Sequence, residues 1–401
     1  MGAIPELRVR LARISTAACK GRDLCHTGLS ECVSEFGPDL VGEVVIADGL
    51  LGFIWRPLRE VLGADSAALR TLHSYWLDLC KREFLVWRQA VTLQALFKRE
   101  GLEVIFMRGP AWRSLLPPGM VRDISDLDLL VKPSTAGRLE ELFRSTRLDQ
   151  HRSETGLWTD TGDMLDIHTD VMGADNIATR RYAADVPTRE LFARSRFISL
   201  SRDGVLETAG KTSHGNLSGS AGEDGRTMIR VLDEVDDLIF AAIHWVKHSY
   251  DRLCWAVDLA MLCERVQRSK RWNEVIERVA RYRLNDLFAC GLEPVRRMLD
   301  TEVPEDVYSS VIKPNLKGIA ERTVAAVSSG ERLNFIGYLL FGRSIRGWRQ
   351  RFRFGCELLF PHYDSPGVMR FRYPRSPARL LPLLRIGRGL SGVVRSIGRL
   401  A

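Results

Sequence analysis

Residues Val121 to Val131 set two aspartates, Asp126 and Asp128, inside an apolar run that otherwise reads as a buried strand. Alternate side chains on a strand share a face, so the two carboxylates project together about 7 Å apart along the backbone. Leu127 and Leu129 then turn the opposite way into a core. Like charges so placed repel each other and resist desolvation. A divalent cation bound between them removes both penalties, and hard oxygen donors suit Mg²⁺ or Mn²⁺. A bare Asp-x-Asp is equally compatible with a solvated strand end, or with carboxylates that cap the following turn.

The residues upstream narrow that choice. Glu103–Val104–Ile105–Phe106–Met107 reads as a short strand running into Arg108–Gly109–Pro110–Ala111–Trp112, a glycine turn followed by a helix start. Such a junction can turn backbone N–H groups toward an anion. Asp126 follows Pro110 by sixteen residues. A phosphate-holding turn followed by an acid pair on the next strand meets the needs of nucleotidyl transfer from a nucleoside triphosphate.

The run from Arg108–Gly109 through Pro117–Pro118–Gly119 and Arg122 to Asp126–Leu127–Asp128–Leu129–Leu130–Val131 resembles a poorly characterised bacterial nucleotidyltransferase family of the polymerase-beta-like superfamily. That family carries a strand, Lys-Gly, a helix, a Pro/Gly loop and then Arg-x-x-x-Asp-hydrophobic-Asp. Leu165–Asp166–Ile167–His168 resembles its acidic-hydrophobic-His strand. Leu238–His244 and Trp255–Ala260 resemble its C-terminal helices, so the likeness runs over roughly residues 65 to 300. Two departures stand out: Arg108 replaces the family's Lys, and Pro110, which has no backbone N–H to donate, replaces the superfamily's hydroxyl residue.

The resemblance implies an α+β fold, with a small mixed-sheet nucleotidyltransferase core and a mainly helical C-terminal part. It implies that Asp126 and Asp128 hold two Mg²⁺ ions about 4 Å apart around the α-phosphate, with Asp166 as the third metal ligand. Asp166, His168 and Asp170 alternate with Leu165, Ile167 and Thr169, so they share a face, and Asp170 is the substitute if Asp166 points away. His168 would orient the acceptor or help move its proton; a solvated edge-strand histidine is the alternative. Arg122 or Arg108, with Gly109, would balance the triphosphate charge, although either arginine could be an ordinary surface ion pair.

A chain of 401 residues with 45% hydrophobic content suits two domains with real cores. Met1–Arg8 meets charge before any apolar run develops, and no apolar segment approaches the ~20 residues of a membrane span, so a cytoplasmic protein is expected. Eight cysteines fit that setting as reduced thiols. Cys19, Cys25 and Cys32 with His26 lack the spacing of a zinc site.

Residues 1–64 give weak signals. A core is expected over 65–208, opening with a helix through residue 100. Ser134 can cap a helix running to Thr146, and strand-like pieces follow near 154–159, 163–171, 196–200 and 205–208. Residues 209–226 read as a Gly/Ser-rich loop. Gly210–Lys211–Thr212 within it lacks the glycine of a phosphate loop, Val205 standing in its place. A helical domain is expected over 227–340. His244 and His248 there fall one turn apart but have no neighbouring Glu of the metalloprotease kind, and read as core or surface histidines.

Residues 341–401 hold 13 arginines, no lysine and two acids, a net +11, whereas the remaining 340 residues sum to −3. Arg385, Arg388, Arg395 and Arg399 alternate with aliphatic residues, which suggests amphipathic helices on an anionic membrane surface or a partner. Nucleic acid is the less favoured reading, because the residues interleaved with these arginines are aliphatic whereas single-strand binders usually offer stacking aromatics. The expected activity is transfer of NMP from an NTP to an unidentified acceptor, with release of pyrophosphate. A non-catalytic nucleotide-binding regulator and a toxin-like enzyme acting on tRNA are the alternatives.

Overall fold

The computed structural model describes residues 3–22, 25–64, 66–124, 126–145, 151–153, 156–158, 164–173, 177–201, 226–311, 314–328 and 336–359. Residues 1–64, weak in pattern, fold as α1 (Ala3–Cys19), α2 (Cys25–Phe36), α3 (Pro38–Ala47) and α4 (Leu51–Leu62). In α4 Leu51, Ile54, Trp55 and Leu58 are buried while Arg56, Arg59 and Glu60 are exposed, an apolar stripe of helical period that Gly52 and Pro57, both poor helix formers, interrupt. The long α5 (Ala67–Glu100) has clear ends: the Ser66 hydroxyl accepts from the Leu69 N–H at 3.4 Å, and Gly101 stops the helix in the left-handed region.

Seven strands form one mixed sheet: β1 (Val104–Met107), β2 (Asp126–Val131), β3 (His151–Ser153), β4 (Gly156–Trp158), β5 (Met164–His168), β6 (Arg196–Ser201) and β7 (Arg226–Val231). Their spatial order is β3-β4-β5-β2-β1-β7-β6. β1 and β2 pair antiparallel, β2 and β5 pair parallel, and β1 pairs parallel with β7. The sequence reading places no strand between 209 and 231, yet β7 lies beside β1. Met228 is 49% exposed there, so the outer face carries an apolar side chain and the polar–apolar alternation fails. The expected strand at 205–208, the Gly/Ser-rich stretch up to 225 and the tail beyond 359 lie outside the described residues.

α6 (Gly109–Trp112) follows β1 directly, α7 (Pro133–Ser145) follows β2, and α8 (Thr188–Arg194) precedes β6. Pro133, one residue before the expected cap Ser134, opens α7. The C-terminal part is helical: α9 (Glu234–Lys247), α10 (Cys254–Arg268), α11 (Trp272–Arg281), α12 (Asn285–Leu299), α13 (Glu305–Val311), α14 (Pro314–Ser328), α15 (Ile336–Ser344) and α16 (Trp348–Leu359). The chain is therefore α+β, a mixed-sheet core joined to a helical C-terminal part.

The N-terminal helices pack against this helical part. Arg8 of α1 grips Asp48 through two hydrogen bonds of 2.6 and 2.7 Å and donates to the Val327 carbonyl, while Arg13 donates to the Met298 carbonyl. α9 is capped by Asp233, which also pairs with Arg271 and Arg278. Glu234, Asp236 and Asp237 in its first turn complement the helix dipole. Thus anchored, α9 runs beside the glycine turn after β1: the Trp112 indole N–H donates to Asp237 at 2.9 Å. Burial pushes the Asp237 carboxyl up to about 6.

Candidate active site

The register between β2 and β5 builds the site. Asp128 lies directly opposite Asp166, and Leu130 opposite His168, so one sheet face collects Asp126, Asp128, Asp166 and His168. Leu127 and Leu129 fill the core on the other face. The His168 imidazole reaches back along its strand, with Nε2 3.1 Å from Asp128 Oδ1 and 3.2 Å from Asp166 Oδ2. Asp128 and His168 are buried, whereas the Asp166 side chain is 23% exposed and opens the cluster to solvent.

Arg108 closes the other side of Asp128. Its Nε donates to Asp128 Oδ2 at 2.9 Å, and Nη2 pairs with Oδ1, a bidentate grip. Arg108 and His168 together hold the Asp128 carboxyl far below the usual carboxylate range, against the opposing pull of burial. Arg108 makes this grip from φ 51°, a positive-φ conformation that costs a non-glycine residue on the order of 1–3 kcal/mol. The third guanidinium nitrogen, Nη1, donates to His244 Nδ1 at 2.9 Å. Burial and the adjacent Arg108 charge push His244 well below its ordinary value, so its neutral ring is free to accept.

The remaining sequence nominations separate from this cluster. Arg122 is buried, with its guanidinium committed to Asp258 of α10 at 2.7–3.1 Å and lying 4.8 Å from the centre of the Trp112 ring. Val121 before it approaches α4 closely: a Cβ on Gly52 would lie 1.8 Å from the Val121 carbonyl oxygen. Asp170 lies past the end of β5 and accepts from the Met172 N–H at 2.6 Å. Gly109 opens the four-residue α6 and is buried, close to Ile124 and the Asp126 carbonyl. His244 and His248 lie 4.4 Å apart with their rings tilted to each other, and both pack against Trp255.

The donor chemistry fits a divalent cation. One ligand atom each from Asp128, Asp166 and His168 lies within 4.8 Å of the others, and they are the one such group among the described residues. Two hard oxygens with one imidazole nitrogen admit Mg²⁺ and, more readily, Mn²⁺. Asp126 shares the face at the start of β2 and stands outside the converging trio, which His168 completes. Arg122–Asp258 and Arg108–His244 each join residues 136 apart in the chain, and no local pattern points to either pair.

An acid pair matched across parallel strands, fed by a strand–glycine turn–helix, is a nucleotidyltransferase type of centre. The family model of uncharacterised nucleotidyltransferases matches residues 34–300, and the chain belongs to that family. It is therefore a transferase that uses a nucleoside triphosphate. No curated protein and no solved structure matches the chain. Among the described residues no helix is long and apolar enough to cross a membrane.

Proposed function

We propose that the chain moves NMP from an NTP to an acceptor hydroxyl or phosphate on the β2–β5 face, in a Mg²⁺- or Mn²⁺-dependent reaction. The observation that carries this is the register of Asp128 with Asp166, with His168 Nε2 between their carboxylates. Asp128 and Asp166 are the principal ligands, with His168 completing the donor set and Asp126 reaching a second ion from the same face. Ions held there would lower the pKa of an acceptor hydroxyl and neutralise the departing pyrophosphate. The acceptor oxygen bonds to the α-phosphorus, and the bond to the β-phosphate oxygen breaks with its electron pair leaving on pyrophosphate. The acceptor proton passes to solvent.

Within this scheme Arg108 holds Asp128 in one rotamer, and His244 fixes the far end of the guanidinium. Gly109 leaves the turn beside Asp126 without a side chain. Arg122 acts from behind, fixing the segment that leads into β2. The proposed setting is cytoplasmic, with the Arg-rich tail against an anionic membrane or a partner.

Incubation with each NTP labelled at the α-phosphate, Mg²⁺ and a cell extract tests the reading. Label should enter an acceptor fraction from the α-position and not from the γ-position, and Asp166→Asn should abolish it. Incorporation from the γ-position, or unchanged incorporation by the variant, would refute it.

A further inference from the structure

The guanidinium that grips Asp128 reaches a corner of aromatic rings on its other side. Arg108 Nε is 2.9 Å from Asp128 Oδ2 and its Nη1 is 2.9 Å from His244 Nδ1, so the imidazole stands at most about 8 Å from that carboxylate, one guanidinium away. The His248 ring lies 4.4 Å from His244, and Trp255, near the start of α10, lies 5.0 Å from His244 and 5.1 Å from His248. His248 is exposed, and His244 and Trp255 are half-buried, so the corner reaches solvent beside the acid cluster.

The three rings are inclined to one another by 52–69°, so none lies flat on its neighbour. Trp55, His73 and Trp76 elsewhere in the chain do the opposite: at interplanar angles of 9–16° they cover each other's faces. The corner is also fixed from behind. Ser249 and Tyr250 turn the chain from α9 toward α10 at φ 55° and 61°. The Tyr250 hydroxyl donates to the Cys290 carbonyl at 3.0 Å, and the Trp245 indole N–H donates to the Arg252 carbonyl at 3.1 Å. Aromatic faces held open in this way suit a flat, uncharged group, and a nucleotide carries one at the span of a single ribose from its α-phosphate.

We propose that His248 and Trp255, with His244 at the base of the corner, seat the nucleobase of the incoming NTP by stacking. This rests on the nucleotidyl-transfer reading and adds to it the residues that hold the base. Stacking of this kind accepts any base and favours the larger purine face. The same Arg108 that orients Asp128 then sets the distance between the base and the metal ligands.

Calorimetry on the full chain with Mn²⁺ tests it, using two probes: an ATP analogue that cannot be cleaved between the α- and β-phosphates, and tripolyphosphate, which has the phosphates and no base. His248→Ala should weaken binding of the analogue about five- to a hundredfold, the worth of one stacked base, and leave tripolyphosphate binding unchanged. His248→Phe, which restores a flat ring, should recover most of the loss. On the unmodified chain, the analogue should protect His248 from carbethoxylation by diethyl pyrocarbonate, read by peptide mass spectrometry, whereas tripolyphosphate should not. This second measurement holds even if a variant folds poorly. Equal affinity of His248→Ala for the analogue, or equal labelling of His248 with and without it, would overturn the proposal. So would an equal loss for both probes, which would make the rings a support for Arg108 and not a base seat. A chain that transfers α-label while His248 stays unprotected refutes the seat alone. Protection of His248 with no α-label transfer refutes the enzymatic reading alone.

Discussion

Asp128→Asn should destabilise the fold as well as disable the site, and the two effects can be separated. The Asp128 and Arg108 side chains are 6% and 15% exposed, so the substitution leaves a buried guanidinium without its counter-ion. Removing one partner of such a pair costs about 3–5 kcal/mol. That is a large fraction of the roughly 5–15 kcal/mol by which domains are stable. Asp166, more exposed and hydrogen-bonded to His168, should lose about 1 kcal/mol or less as Asp166→Asn. Urea unfolding followed by tryptophan fluorescence reads both, with a midpoint shift on the order of 1 M or more for Asp128→Asn. Adding Arg108→Gln to Asp128→Asn should recover part of the loss, because the stranded charge goes with it. Equal, small shifts for the two aspartates, or strict additivity in the Arg108–Asp128 cycle, would show that no buried ion pair organises this site.

Asp166→Ala should lower turnover by more than it lowers nucleotide affinity; comparing single-turnover rates with calorimetric binding checks this, and loss of binding alone would contradict it. Burial pushes Glu83 from 4.5 up to about 7, so the folded state holds its proton more tightly than the unfolded chain. Its contribution is complete below about pH 4.5 and falls as pH rises toward 7, by about 3 kcal/mol at 1.36 kcal/mol per unit. Glu83→Gln should flatten that part of a stability profile measured between pH 4.5 and 8, and an unchanged slope would contradict the assignment. Gly52→Ala forces a methyl group onto the Val121 carbonyl and should cost about 1–3 kcal/mol or more in the same unfolding assay. Removing residues from 377 onward should leave a folded, nucleotide-binding core that no longer sediments with anionic vesicles at low salt. Steeply salt-dependent RNA binding without vesicle binding would assign the tail to nucleic acid instead.

The acid strand was legible because like charges inside an apolar run have few physical solutions. Strand alternation also placed Asp166 and His168 on one face of β5. Alternation cannot reveal which residue of β5 stands beside Asp128, because register is set by the pairing of strands distant in sequence. The sequence therefore suggested Asp126 as a ligand where the structure brings His168 into the converging trio. Arg122 resembled a phosphate contact for the same reason: nothing local announces Asp258, 136 residues later, as its partner. The N-terminal helices were hidden by residues that argue locally against a helix, Gly52 and Pro57 in α4 and the β-branched Val41, Val44, Val45 and Ile46 in α3.

The central claim is that the β2–β5 face binds a metal–nucleotide complex, and diffraction from crystals soaked with Mn²⁺ and an NTP analogue that cannot be cleaved between the α- and β-phosphates tests it most directly. The account predicts an anomalous Mn²⁺ peak within ligand distance of Asp128 and Asp166, about 2.0–2.4 Å as for hard oxygen donors, with the α-phosphate beside it. A Mn²⁺ peak away from these aspartates, or a nucleotide bound with no metal between it and Asp128, would contradict it.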